Sequence, residues 1–149
     1  MTTLFDSLKS NMFLLLLLLS MSIKAQQTQT DSYTQYELLD AESQSFRIVF
    51  DVSATTTNAA YYWNTLRPGS DHTIEKVWDL FSGKELKWQI VDANIAKQNG
   101  LVRVSDDTDY LQVTLARPVP EGGQARIRID KTYKDAISYF KEGTSIVFS

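Results

Sequence analysis

The sequence contains no cysteine, one histidine, six glycines and three prolines in 149 residues. Without cysteine, the chain cannot form disulfides, thiolate zinc sites, a cysteine nucleophile or a lipidated N-terminal cysteine. The single histidine, His72, excludes histidine-rich metal sites and the H-E-x-x-H zinc motif. So few glycines and prolines exclude collagen-like and mucin-like chains. The remaining composition, 43% hydrophobic and 22% charged, is that of an ordinary globular protein and fits one domain.

A long apolar run is also absent. The only dense one begins at Met12-Phe13, includes six consecutive leucines and extends for about 12 residues, whereas a membrane-spanning helix needs roughly 20. Lys9 precedes this run and Lys24-Ala25 follows it. This layout is typical of a secretory signal peptide. We therefore predict a cleaved signal peptide over 1–25 and no membrane span after its removal.

We place the signal cleavage after Ala25, with cleavage after Ser22 as the second choice. The sequence leaves open whether Met1 or Met12 is the initiator. Because cysteine-free exported proteins are common in bacterial envelopes, we expect a periplasmic or secreted location.

Removing 1–25 takes away Lys9, Lys24 and Asp6, which leaves 13 basic against 17 acidic side chains and a formal charge of −4. The acidic residues are scattered along the chain. A mildly acidic surface disfavours nucleic acids and anionic membranes as partners, because both are polyanions.

The segment after the leader is polar, and 26–32 contains no apolar residue. We therefore predict a flexible linker over 26–40 and a folded domain over 41–149. The chain stops inside an apolar, β-prone segment at 145–148. Two explanations stay open: the chain is truncated at its C-terminus, or this last strand pairs with an edge and closes the sheet.

Alternation of apolar and polar residues is the main structural signal. From Phe46 to Val52, every second residue is apolar. From Ala125 to Tyr133, every second residue is apolar except Lys131. Such alternation is typical of half-buried strands. Residues 92–100 predict a short helix that Asp92 caps and Gly100 ends. The fold class is therefore all-β, an antiparallel β-sandwich of about seven strands with one short helix. The predicted strands are 45–53, 60–66, 74–81, 86–91, 110–116, 124–133 and 145–148, with a β-hairpin around 82–84.

Large rings are the best candidates for a binding surface. Alternation places Trp78 and Trp88 with the apolar residues of their strands, so we expect them in the core. Tyr62, together with either Tyr61 or Trp63, is expected to be exposed, where such rings stack on sugar faces or on a partner. Tyr61, Tyr62 and Trp63 are therefore the candidate ligand-binding residues.

Charged clusters have simpler explanations. Asp106, Asp107 and Asp109 could supply oxygens to Ca²⁺, but they lack the spacing of a calcium loop, and Asp is a common turn former. We therefore favour a turn. Arg126 and Arg128 lie on the polar face of one predicted strand, where we expect cross-strand pairs with acidic neighbours.

No catalytic set is apparent. His72 follows a turn sequence, 67–71, and is expected to be a solvated loop histidine rather than part of a Ser-His-Asp arrangement. No glycine-rich phosphate loop is present. We therefore predict no catalytic residue, no cofactor and no metal site, and we expect that the protein is not an enzyme.

The order of several segments also resembles a group of uncharacterised secreted bacterial β-sandwich proteins. More remotely, it is similar to the N-terminal domain of the M1 (gluzincin) aminopeptidases. The segments that carry the likeness are 36–40, 45–52, 61–70, 109–123 and 129–135. The catalytic zinc helix of that family has no counterpart in this sequence, so the resemblance implies a scaffold or binding domain rather than a peptidase.

The leading hypothesis is thus an exported, non-catalytic domain with an accessory, scaffold or protein-interaction role. One alternative is a carbohydrate-binding module that uses its exposed aromatic residues. Another is the N-terminal fragment of a larger M1-like metallopeptidase, whose C-terminal domain would then be missing from this chain. An in-frame H-E-x-x-H motif downstream of Ser149 would support that last alternative. The partner, either a protein or a glycan, is not identified by the sequence.

Overall fold

The strands form two antiparallel sheets and a small C-terminal hairpin. The computed structural model describes residues 26–149, so the signal peptide expected over 1–25 lies outside the described residues. The elements are β1 (Gln29–Leu38), β2 (Ser45–Ala54), β3 (Tyr61–Thr65), β4 (Asp71–Asp79), β5 (Trp88–Val91), α1 (Ala93–Gln98), β6 (Tyr110–Thr114), β7 (Ala125–Lys134), β8 (Tyr139–Glu142) and β9 (Ser145–Phe148). A 3-10 turn occupies Ala41–Ser43.

One sheet has the order β1-β2-β7-β4 and the other has the order β3-β6-β5, while β8 pairs with β9. The inner faces of the two larger sheets share one hydrophobic core, to which β2, β4 and β7 contribute from one side and β3 and β6 from the other. The predicted all-β sandwich is therefore confirmed. In the described part of the chain, no helix is long and apolar enough to cross a membrane.

The alternation in β2 and β7 predicts the core correctly. Phe46 and Val52 of β2 are buried, and Ile127 and Ile129 of β7 are fully buried. The two strands pair along their whole length, so their apolar side chains line the same face of the sheet. The short helix is also confirmed: Asp92 Oδ1 accepts a hydrogen bond from the Ile95 amide at 2.8 Å.

Two strands lie where none was predicted, in segments that are mostly polar. The expected linker over 26–40 instead contains β1, which pairs with β2 and whose ten residues are all exposed. An edge strand gains its backbone hydrogen bonds from one neighbour and does not need an apolar face, so composition alone did not reveal it. The other missed strand is β8, within a polar stretch.

A β-bulge in β4 reverses the faces expected for this strand. The register with β7 shifts between Ile74 and Lys76, so Val77 points into the core. Trp78, which was expected in the core, is only half-buried, and Trp88 on β5 is exposed. The expectation that these two tryptophans form part of the core was wrong.

The hairpin predicted around 82–84 forms but is short, with one antiparallel bridge between Trp78 and Glu85. The Asp79 amide donates to the Lys84 carbonyl at 2.9 Å, and the Leu86 amide donates to the Val77 carbonyl at 2.8 Å. After this turn the chain crosses to the opposite sheet, because β5 pairs with β6 and not with β4.

Candidate functional site

The three candidate ligand-binding aromatic residues lie on both faces of β3. Tyr61 is 38% exposed, whereas Tyr62 is 2% exposed and Trp63 is 8% exposed. Successive side chains on a strand point to opposite faces, so Tyr62 enters the core while Tyr61 and Trp63 share the outer face. The expectation that Tyr62 is exposed was wrong.

Tyr62 has a structural role. Its hydroxyl donates a hydrogen bond to Gln29 Oε1 at 2.6 Å, which connects the inner face of β3 to the start of β1. Burial raises the pKa of the Tyr62 hydroxyl well above its usual value, so the hydroxyl stays neutral and remains a donor. This side chain is unavailable to a ligand.

Tyr61 and Trp63 line a cleft at the outer side of β3. Their ring centroids are 6.2 Å apart and the rings are tilted by 57°. The cleft has a volume of about 290 Å³ and is also lined by Asn58, Asn99 and Leu101. Trp63 is held in place by a small cluster with Tyr110 and the alanines of α1. The cleft thus combines one exposed ring with polar residues.

The backbone of β3 has a free edge next to this cleft, because β3 is an outer strand of its sheet. The Leu66 amide donates to Asp109 and the Leu115 amide donates to Ala60, each at 3.0 Å. These bonds direct the backbone groups of the even-numbered residues toward β6. In an antiparallel pair the odd-numbered residues then direct theirs away from it.

Gln27 occupies part of that free edge with its side chain. Its Oε1 accepts a hydrogen bond from the Trp63 amide at 2.8 Å, and its Nε2 donates to the Trp63 carbonyl at 2.9 Å. A primary amide carries the same donor and acceptor as a peptide group. Gln27 therefore makes the two bonds that a residue of a neighbouring strand would make.

A second cavity lies on the other side of Gln27. It has a volume of about 170 Å³ and is lined by Trp63, Thr65, Leu101 and Arg103 among others. We call the two cavities together the edge groove; they follow β3 from Tyr61 to Thr65, and the Gln27 side chain lies between them. No sequence pattern indicated this groove, because it depends on which strand ends the sheet.

The other candidate groups form local structure. Arg128 makes a two-point ion pair with Asp51, at 2.7 Å for each contact, which confirms the cross-strand pairing expected for this residue. The same expectation was wrong for Arg126, whose Nε is buried without a hydrogen-bond partner in the described part of the chain. Asp107 accepts a hydrogen bond from the Ser105 hydroxyl at 2.6 Å, and this bond lowers the pKa of the carboxyl group. The turn interpretation of the acidic loop agrees with this contact. Over 26–149, no group of three His, Cys, Asp or Glu side chains is placed to hold a metal ion.

His72 is not a solvated loop residue. It belongs to β4 and is half-buried, with Nδ1 3.3 Å from the Ser70 carbonyl and its ring edge-on to Tyr133. The expectation for this residue was therefore wrong, because β4 begins at the last residue of the predicted turn, Asp71, and so includes His72.

Among known proteins, neither a family model nor a curated sequence matches the chain.

Proposed function

We propose that this protein is an exported, non-catalytic interaction domain that binds an extended peptide segment of a partner along the free edge of β3. The observation that carries the proposal is the pair of hydrogen bonds between the Gln27 side-chain amide and the Trp63 backbone. An amide group at this position marks where the peptide group of an added strand would lie. Export is supported by the leader-like pattern of 1–25.

Strand addition uses backbone bonds for affinity and side-chain pockets for selectivity. A bound segment would replace the Gln27 amide at Trp63 and would extend the ladder to the backbone groups of Tyr61 and Thr65. Its side chains would enter the two cavities of the edge groove. Each backbone hydrogen bond to the bound segment contributes about 1 kcal/mol net to binding. Binding also breaks the two Gln27 hydrogen bonds, and the loss of each one weakens binding by about the same amount.

The test uses an acetylated octapeptide of alternating Thr and Val with one Lys at each end, and a twin that is N-methylated at alternate peptide groups. Fluorescence anisotropy measures the binding of labelled peptides to the wild type, to Gln27→Ala and to the control Gln35→Ala, which removes an exposed glutamine from the other sheet. We expect Gln27→Ala to bind the unmethylated peptide more tightly than the wild type, because the competing amide is gone. Gln35→Ala should match the wild type, and the methylated twin should not bind.

Hydrogen exchange at the Trp63 amide gives an independent measurement. Its exchange should be faster in Gln27→Ala and should slow again when the peptide is added. Equal binding of the methylated twin, or no effect of Gln27→Ala, would refute strand addition. Hydrolysis of aminoacyl or glycosyl reporter substrates above background by the purified protein would refute the non-catalytic role.

A second candidate function is carbohydrate binding in the same groove. It is favoured by the exposed ring of Tyr61 beside Asn58 and Asn99. Soluble glycans should then shift the tryptophan fluorescence, and Tyr61→Ala should remove the shift whereas Gln27→Ala should not. The absence of any shift across a broad glycan panel would exclude this candidate.

A further inference from the structure

A third cavity opens at the end of the sandwich where β1, β2, β7 and β9 meet the segment after β3. It has a volume of about 570 Å³, within the range of small-molecule sites. We call it the end cleft; its lining includes Tyr36, Phe46, Leu66, Lys131, Tyr133 and Phe148. Phe46 makes ring contacts with three of these side chains, at centroid distances of 5.2–6.2 Å to Phe148, Tyr133 and Tyr36. Four aromatic rings thus line the cleft together with aliphatic and polar side chains, Arg67 among them.

Lys131 is the buried cation of this lining. It lies on the inner face of β7, between Ile48 of β2 and Ile74 of β4 in the register, and only 5% of its surface is exposed. Its ammonium group donates to Asn64 Oδ1 at 2.6 Å and lies 5.1 Å from the centroid of the Tyr133 ring. Both of these partners are uncharged. A buried cation with uncharged partners therefore lies at the wall of the end cleft.

The nearby carboxylates are committed elsewhere. Asp130, next to Lys131 on β7, points to the opposite face and pairs with Arg47. Asp135 pairs with Arg67 at 3.1 Å. Within the described part of the chain, no carboxylate forms an ion pair with Lys131. Burial without a counter-ion lowers the pKa of this ammonium group to about 8, which still leaves it mostly protonated at neutral pH.

We propose that the end cleft binds an amphipathic carboxylate, with its charged group on the Lys131 ammonium and its apolar chain against the rings of Tyr36, Phe46 and Phe148. A carboxylate would supply the counter-charge that Lys131 lacks, in surroundings where an ion pair is strong because water is largely excluded. The aromatic lining would bury the chain. This site uses a different set of contacts from the strand-addition proposal and does not depend on it.

Isothermal titration with decanoate, below its critical micelle concentration, and with decanol tests the proposal. Decanol has the same chain and no charge. We expect the wild type to bind decanoate at least about tenfold more tightly than decanol, because hydrogen bonds to a charged group contribute roughly 1.5–3 kcal/mol. Lys131→Met should lose this preference and should still bind decanol. The control Lys134→Met, which changes an exposed lysine on the same strand, should retain it.

Two further variants test the aromatic lining that contacts the apolar chain of the ligand. Tyr36→Ala should weaken both ligands equally, whereas Tyr33→Ala should weaken neither, because Tyr33 is an exposed tyrosine of β1 outside the cleft lining. Retained decanol binding shows that a variant is folded with its cleft intact. The proposal is overturned if neither ligand binds the wild type, if decanol binds as tightly as decanoate, or if Lys131→Met keeps the preference.

Discussion

Replacing Lys131 by Met should stabilise the protein at neutral pH. The two side chains have similar length, and Met places no charge in the core. Lys131 pairs with Ile48 on one neighbouring strand and with Ile74 on the other, and it is almost fully buried. Removing a buried charge that lacks a counter-ion is favourable when an apolar side chain fills the same space.

The magnitude follows from two opposing contributions. The pKa of Lys131 falls from 10.5 to about 8. A shift of this size corresponds to a penalty of about 3 kcal/mol for keeping the ammonium group charged at pH 7. Met also leaves Asn64 Oδ1 without its donor, which costs about 1 kcal/mol at a half-buried site. The variant should therefore be more stable than the wild type by about 2 kcal/mol at pH 7.

The difference should depend on pH. Between pH 8 and about 10, the folded wild type releases the Lys131 proton while the unfolded chain still holds it, so the free energy of unfolding of the wild type rises with pH. At pH 10 the penalty falls to about 1 kcal/mol, and the advantage of Met should disappear. Tyr62 and Tyr133, whose pKa values burial raises, destabilise the folded state above pH 10, but they do so in both proteins and cancel in the difference.

Urea unfolding at pH 7 and pH 10 measures both quantities, provided the slope with denaturant is unchanged. Lys134→Met is the matched control and should stay within about 0.5 kcal/mol of the wild type at both pH values. A Lys131→Met variant that is no more stable than the wild type at pH 7, or that is equally favoured at both pH values, would contradict this prediction.

Three further changes test the fold by thermal or urea unfolding. Tyr139→Phe removes a buried hydroxyl that donates to a backbone carbonyl at 2.5 Å, so it should lower the free energy of unfolding by about 1 kcal/mol. The exposed control Tyr33→Phe should leave it unchanged, and equal effects of the two changes would contradict the contact. Ile129→Ala, at the centre of the core, should cost about 2–5 kcal/mol, and the exposed Ile146→Ala should cost far less. Asp92→Ala should lower the free energy of unfolding by about 1 kcal/mol, because it removes the cap of α1. Asp92→Asn keeps a capping side chain and should lower it less; equal losses in the two variants would contradict this explanation.

The parts of the fold that the sequence predicts are those where local pattern and tertiary position agree. Along β2 and β7 the strict alternation matches the buried face, because both strands are regular and lie in the middle of their sheet. In β4 one extra residue at the bulge changes which side of the strand faces inward, and nothing in the composition marks it. Trp78 was misplaced for this reason alone.

The candidate site was predicted in part. The aromatic run in β3 does line a cleft. The sequence did not determine which of its side chains point outward, so Tyr62, which is buried, was chosen together with the residues of the outer face. Gln27 belonged to a segment without apolar residues and gave no signal, since its role depends on the strand beside which it folds. The likeness to the M1 aminopeptidases stays a prediction.

The position of β7 has a consequence for how the molecule is assembled. This strand lies between β2 and β4, yet it follows both of them in the chain by a long interval; Arg47 and Asp130, which it brings together, are 83 positions apart. During synthesis β2 and β4 emerge before β7, so the strand that pairs with both of them is absent until β7 has been made. Such non-local topology slows folding and leaves strand edges unpaired in the meantime, so we expect the pairing of β7 to complete this sheet.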